Sequence, residues 1–240
     1  MATVLTSASA SISPARPTSG LIPDRKTDVL ASIIRSRIAR PITRALVVGC
    51  GSGREAAALG IALGTRVVGI DVRDQFDPDA ARLVELRRGD ATQLEFEDGA
   101  FDLVYSFHVL EHIPRYRQAL SEMRRVLAPG GHYCIGTPNR TRLLGYLGSR
   151  TATLREKIAW NLADWRARLR GRFRNEHGAH AGFTRRELSS ALLETFSACD
   201  DITLAYYADL YRRRSGVIRL LEHSGLSRLV FPAIYFMGSR

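Results

Sequence analysis

The chain has 240 residues, 45% of them hydrophobic, which suits one sizeable domain with appendages. No apolar run approaches the roughly 18–20 residues needed to span a bilayer, and the longest, LVFPAIYFM, contains Pro232 and is expected to form a terminal strand. Cys50, Cys134 and Cys199 are odd in number and lack metal-ligand spacing, which argues against a disulfide framework and points to a reducing cytoplasm.

The net charge of +11 is unevenly placed. From position 140 onward there are 18 Lys and Arg against 9 Asp and Glu, whereas the preceding part is nearly balanced. The excess is therefore expected to concern a substrate or partner met by the C-terminal part. Residues 1–25 are small, polar and Pro-containing, with no charged segment ahead of an apolar core, so they read as a disordered tail rather than a secretory signal.

After the tail, TDVLASIIRSRIAR places Leu30, Ile33, Ile34 and Ile38 at helical spacing. ALVVG then reads as a strand, REAAALGIALG as a helix, RVVGID as a second strand and VELRRGD as a third. Between the second and third strands, the short segment interrupted by Pro78 is expected to reduce the usual helix to a turn. FDLVYS is a fourth strand, RYRQALSEMRRVL a helix, APGG a turn and HYCIGT a fifth strand. Such alternation predicts crossover units and a mainly parallel, doubly wound sheet covered on both faces.

From Leu143 the rhythm changes. Leu154, Ile158, Leu162, Trp165 and Leu169 form one helical stripe, with Arg and Lys over much of the remainder. Residues 143–180 therefore read as a basic helical insertion, between a cofactor-binding half over 26–142 and the rest of the same domain over 181–240. Its stripe either packs on the domain, lies on an anionic membrane or caps a large acceptor. Thr184 and Glu187 form a capping-box pattern for one more helix. ITLAYY and FPAIYFM read as the last two of seven strands, with a helical segment between them.

The stretch ALVVGCGSGRE ends a strand in Gly49, Gly51 and Gly53 and opens onto a helix, which lets a ligand approach main-chain N–H groups. Asp71, at the end of the second strand, is placed to accept from both hydroxyls of a ribose. These features fit a nicotinamide dinucleotide as well as an adenosine cofactor. The third to fifth strands, with RGDATQLEFEDGAFDLVYSFHVLEHIP and RRVLAPGGHYCIGTPN, break the tie. In order, a glycine-rich loop, an acid after strand two, a GDA turn, a DLVxSxxVLEHI segment and an LxPGG turn resemble class I S-adenosylmethionine-dependent methyltransferases, especially the ubiquinone/menaquinone-biosynthesis type. The resemblance is strong over residues 44–139 and general over 180–240.

That resemblance implies a Rossmann-like α/β fold with a C-terminal antiparallel strand and a helical lid, S-adenosyl-L-methionine as methyl donor and S-adenosyl-L-homocysteine as product. It implies that Gly49, Gly51 and Gly53 face the amino acid and ribose of the donor and that Asp71 takes the ribose hydroxyls. Asp90 would accept from the adenine amine, Ala91 would offer main-chain contact to the ring, and Ser106 and Phe107 would line the floor below the methionine moiety. Cys50, with nothing basic beside it in sequence, reads as a small packing residue and not a nucleophile.

A general base is needed where the acceptor carries a proton at neutral pH. His108 and His112 flank the LEH turn with Glu111, a tripeptide that is often structural in this family. His177 and His180 lie in the Gly- and Ala-rich RNEHGAHAGFT, expected to cross the mouth of the acceptor pocket. His180, His177 and His108 are thus the candidate bases. The HxxH pair lacks a third ligand, so no metal is expected. The leading expectation is O-methylation of a small or amphiphilic metabolite. Methylation at nitrogen or carbon, an NAD-dependent oxidoreductase and a non-catalytic interaction protein are the alternatives. TPN after the fifth strand is not the signature of amino-group nucleic-acid methyltransferases, and no Pro-Cys nucleophile is present, so nucleic acid is not the expected partner.

Overall fold

A computed structural model describes residues 25–146, 152–175 and 180–240. Within them, seven strands form one sheet: β1 (Arg44–Val48), β2 (Arg66–Asp71), β3 (Glu85–Arg88), β4 (Phe101–Phe107), β5 (Leu127–Pro138), β6 (Asp200–Asp201) and β7 (Ala233–Ser239). Their order is β3-β2-β1-β4-β5-β7-β6, and β7 runs antiparallel to both of its neighbours while the other pairs are parallel. The chain winds outward from β1 in one direction and from β4 in the other. The carboxyl ends of β1 and β4 therefore meet at the switch point, where ligands bind in open α/β sheets.

Helices cover both faces: α1 (Arg25–Arg37), α2 (Arg54–Leu63), α3 (Pro78–Ala81), α4 (Tyr116–Val126), α5 (Leu154–Leu169), α6 (Arg185–Thr195), α7 (Thr203–Leu210), α8 (Ser215–His223) and α9 (Ser227–Val230). Strand β1 shows why a parallel centre needs apolar residues on both sides. Ala45 and Val47 pack into the core with Leu30, Ile34 and Leu59, while Leu46 and Val48 pack into the opposite core with Leu120, Met123 and Leu188.

The expected short link into β3 is present as the single turn α3. Pro78 begins it rather than interrupting it, because Asp77 caps the turn by accepting from the N–H groups of Asp79 at 2.9 Å and Ala80 at 3.2 Å. The APGG turn lies within the β4–β5 ladder. Phe101 pairs with Leu127 and Leu103 with His132, so the turn is accommodated as a bulge.

One expectation is corrected. ITLAYY is not a strand: Thr203–Leu210 is helical, and the strand is the preceding Asp200–Asp201. β-branched and aromatic residues raise strand propensity, but here Tyr206 and Tyr207 pack from a helix onto Tyr235 and Phe231, with ring centroids 4.1 and 4.2 Å apart. Of the alternatives open for α5, packing of its stripe on the domain is not what the structure shows, for the helix has no buried residue. Leu154, Ile158, Leu162 and Leu169 are each more than half exposed, so the apolar stripe does not pack on the domain. Polar residues hold this helix instead. Asn161 accepts from the N–H of Gly145 at 2.7 Å, Arg168 donates to the carbonyls of Arg140 and Arg142 at 2.8 and 2.6 Å, and the Trp165 indole donates to Leu143 at 3.0 Å.

Candidate functional site

The glycine turn after β1 is pinned to β2, since the N–H groups of Gly49 and Cys50 both donate to the Ile70 carbonyl at 2.8 and 2.9 Å. The three glycines have different reasons to be glycine, although all have positive φ. A Cβ on Gly49 would lie 2.1 Å from Val109, and one on Gly53 would lie 2.4 Å from Leu86, so both permit close packing. Gly51 meets nothing within 4 Å and faces open space. Its N–H donates to Asp71 Oδ2 at 2.9 Å, while Asp71 Oδ1 accepts from the Arg73 N–H at 3.0 Å.

A cleft of about 350 Å³ opens here, lined by Gly49, Gly51, Asp71, Asp90, Ala91 and His108 among others. Five of the eight sequence-expected cofactor residues thus share one cavity. Gly53 instead starts α2 beneath the turn, and Ser106 is buried in β4; neither lines this cleft. Asp90 Oδ1 accepts from the N–H and the hydroxyl of Thr92, both at 2.8 Å, and these two bonds hold its carboxyl below the usual carboxylate range. Burial and the nearby charge of Asp71 push the Cys50 thiol up to about 12, which keeps it protonated and unreactive at neutral pH.

A second cavity, of about 590 Å³, adjoins the first. One part is apolar and aromatic, with Tyr206, Tyr207, Leu210, Ile218, Phe231 and Tyr235. Phe107, expected under the donor, lines this cavity instead and stacks on Tyr235 at 5.2 Å. The polar part holds His108, Glu111, His112 and His180. His108 and His112 line both cavities.

Local structure explains how these imidazoles converge. His108 leaves β4 in the left-handed region at φ 57°, fixed by its N–H donating to Gly136 at 2.9 Å. A 3-10 turn over Leu110–His112 then presents Glu111 and His112. His180 arrives from the segment before α6 and meets His112 edge-on, with centroids 4.7 Å apart. The buried Arg142 holds that segment by donating to the carbonyls of Asn139, Ala181 and His180, and it pairs with Asp164 of α5 at 3.5 Å. Desolvation, followed by the neighbouring His112, lowers the pKa of His180 and favours its neutral form. His177 lies outside the described residues. Among the described residues, no group of three or more His, Cys, Asp or Glu is arranged to hold a metal ion.

Sequence reasoning missed the pocket tyrosines, because their helical placement was not expected. It noted Glu111 only as a neighbour of two histidines, and it counted Arg142 only as charge. The LEH tripeptide was the available signal for Glu111.

Residues 46–135 match a family model described as a methyltransferase domain. A demethylmenaquinone methyltransferase of Staphylococcus aureus (strain JH9) is 40% identical over 108 residues, covering 41% of this chain and 45% of that protein. The matched region thus spans under half the length of this relative, and 32% of a 37.1 kDa protein from a Streptomyces fradiae transposon that is 39% identical over 109 residues. Among solved structures, an S-adenosylmethionine-dependent methyltransferase from Mesorhizobium loti superposes with a TM-score of 0.54 at 17% identity, over 87% of this chain and 96% of that one.

Proposed function

We propose that this protein, whose residues 46–135 match a methyltransferase domain and whose fold is that of class I methyltransferases, transfers a methyl group from S-adenosylmethionine to the oxygen of an amphiphilic small molecule. The observation that carries the reading is that His108 and His112 line both cavities, so one wall serves donor and acceptor alike. The open space above Gly51 and the inward-facing acid Asp71 fit a nucleoside-bearing donor. In this assignment Asp71 holds the ribose, Asp90 and Ala91 the adenine, and the main chain around Gly49 and Gly51 the amino acid part.

Bound there, S-adenosylmethionine supplies an electrophilic methyl group on a sulfonium. The protein's task is to align an attacking atom, exclude water and take up a proton. The aromatic and aliphatic wall from α7 to β7 suits the apolar body of an acceptor, and the imidazole end suits its hydroxyl head. His108 or His180 then accepts the hydroxyl proton as the oxygen–methyl bond forms. His177, three residues before His180 in sequence, is proposed as a further contributor. The exposed stripe of α5, beside the exposed Arg155, Arg166 and Arg170, supports peripheral contact with an anionic lipid surface that delivers such an amphiphile. Among the described residues, no helix is long and apolar enough to cross a membrane.

The test begins with calorimetric titration of S-adenosylhomocysteine, using NADH as the control ligand. Binding of the former alone, followed by labelled-methyl transfer to amphiphilic phenols and quinols, is the expected result. Binding of NADH alone sinks the reading. Methyl transfer that survives His108→Ala and His180→Ala unchanged moves the acceptor to nitrogen or carbon, and donor binding without transfer to any acceptor favours an interaction protein.

A further inference from the structure

Glu111 is anomalous. Its side chain is 1% exposed, yet neither carboxylate oxygen has a hydrogen-bond partner among the described residues. Burying a carboxylate without hydrogen-bond partners costs free energy. Three imidazoles surround it. His108 Nδ1 lies 3.4 Å from Oε1 and His112 Nε2 lies 3.9 Å from the same oxygen, while His180 feels its charge. Three positions earlier, just past the end of β4, His108 adopts a left-handed backbone that a side chain rarely takes. Buried charge and backbone strain thus load one short stretch, Phe107–Glu111, which borders both cavities.

We propose that Glu111 is a positioning residue that holds the His108 ring at the junction of the two cavities, with its Nδ1 proton directed to the carboxylate and Nε2 left to serve as base. This rests on the proposed methyl-transfer reading. A carboxylate aimed at one ring nitrogen selects the tautomer that leaves the other nitrogen free to accept a proton, and it stabilises the imidazolium once formed. In the step itself, the acceptor O–H bond breaks and its proton passes to His108 Nε2. The oxygen lone pair forms the O–CH3 bond while the S–CH3 pair returns to sulfur. The charge lost from the sulfonium reappears on the imidazolium beside Glu111, which accounts for a carboxylate buried there without hydrogen-bond partners. The buried side chain is in place for a charge that arrives during the reaction.

The experiment compares Glu111→Leu and Glu111→Gln with the wild type. Leucine of similar volume removes charge and acceptor, so Tm is expected to rise by about 2–4 °C, while kcat falls at least about 100-fold with KM within a factor of about three. Glutamine keeps an acceptor oxygen and is expected to retain part of kcat. Nitrogen-15 spectra should show His108 protonated at Nδ1 in the wild type and in Glu111→Gln, and shifted to the Nε2-protonated tautomer in Glu111→Leu. A lower Tm in both variants would assign Glu111 to the fold, and a rise in KM with kcat unchanged would make it an acceptor contact. The same tautomer in all three proteins overturns the proposal directly. The tautomer and Tm readouts need no methyl acceptor, so they separate a failure of this inference from a failure of the methyl-transfer reading.

Discussion

The main-chain N–H of Gly51 donates to Oδ2 of Asp71 at 2.9 Å, so the acid at the end of β2 braces the glycine turn at the end of β1. Asp71 therefore shapes the turn and lines the smaller cavity, where it is proposed to meet the donor. Asp71→Ala should weaken S-adenosylhomocysteine binding by about 10- to 100-fold, the worth of one to two charge-assisted hydrogen bonds. Calorimetry reads this directly, and an affinity within twofold of the wild type would remove Asp71 from the donor site.

The glycines separate packing from ligand approach. Gly53→Ala sets a methyl group 2.4 Å from Leu86 at φ 85°, which should cost about 2–4 kcal/mol of stability through overpacking and backbone strain. Gly51→Ala meets no neighbour, so only the φ penalty of about 1 kcal/mol falls on stability. Its larger effect should be on donor affinity, because the methyl group projects into the cleft. Urea midpoints and calorimetry on the two variants check the contrast; equal loss of stability would contradict the assignment.

Much of the fold around β1 to β3 was legible because its signals are local. The apolar run ending in alternating glycines, Asp71 at the next strand end and the GDA turn each declare a backbone state or a strand terminus. What was illegible depended on tertiary context. ITLAYY has strand-forming residues, and packing against Tyr235 and Phe231 accompanies its helical state, so the tyrosines of the larger cavity could not be placed. The α5 stripe was visible as a stripe, but periodicity does not say which side meets the domain. Here Asn161 and Arg168 do, and the apolar side faces out. Phe107 follows Ser106 in β4, and alternation along the strand sends the two side chains to opposite faces, which separates two residues that were expected to share one floor.

His180 should leave a mark on the pH dependence of stability. Its pKa is lowered, first by desolvation and then by His112, against the raising influence of Glu111. Below an ordinary value of about 6.5 the unfolded chain takes a proton that the folded chain resists, so this group costs stability as pH falls through that value and nothing above it. His180→Asn should therefore lose less Tm than the wild type between pH 7 and 5, with the two curves parallel above pH 7.5. His132 is lowered for a similar reason and is common to both proteins, so the difference isolates His180. Parallel curves throughout would place His180 in open solvent.

The outward stripe of α5 makes the final prediction unusual for a leucine-rich helix. Ile158 and Leu162 are 53% and 52% exposed, so Ile158→Ser with Leu162→Ser should change stability by no more than about 0.5 kcal/mol per site. Had these side chains been core, the pair would cost several times that. If the surface meets lipid, the same double variant should lose sedimentation with anionic liposomes, while neutral liposomes bind neither protein. Raising the salt should weaken the wild-type interaction, because exposed Arg155, Arg166 and Arg170 flank the stripe and act through a screened field. Unchanged Tm together with lost sedimentation would make α5 a lipid-facing element. Unchanged Tm with sedimentation equal in both proteins would leave the stripe to cap the acceptor itself, and activity on truncated acceptors would then be the quantity that changes.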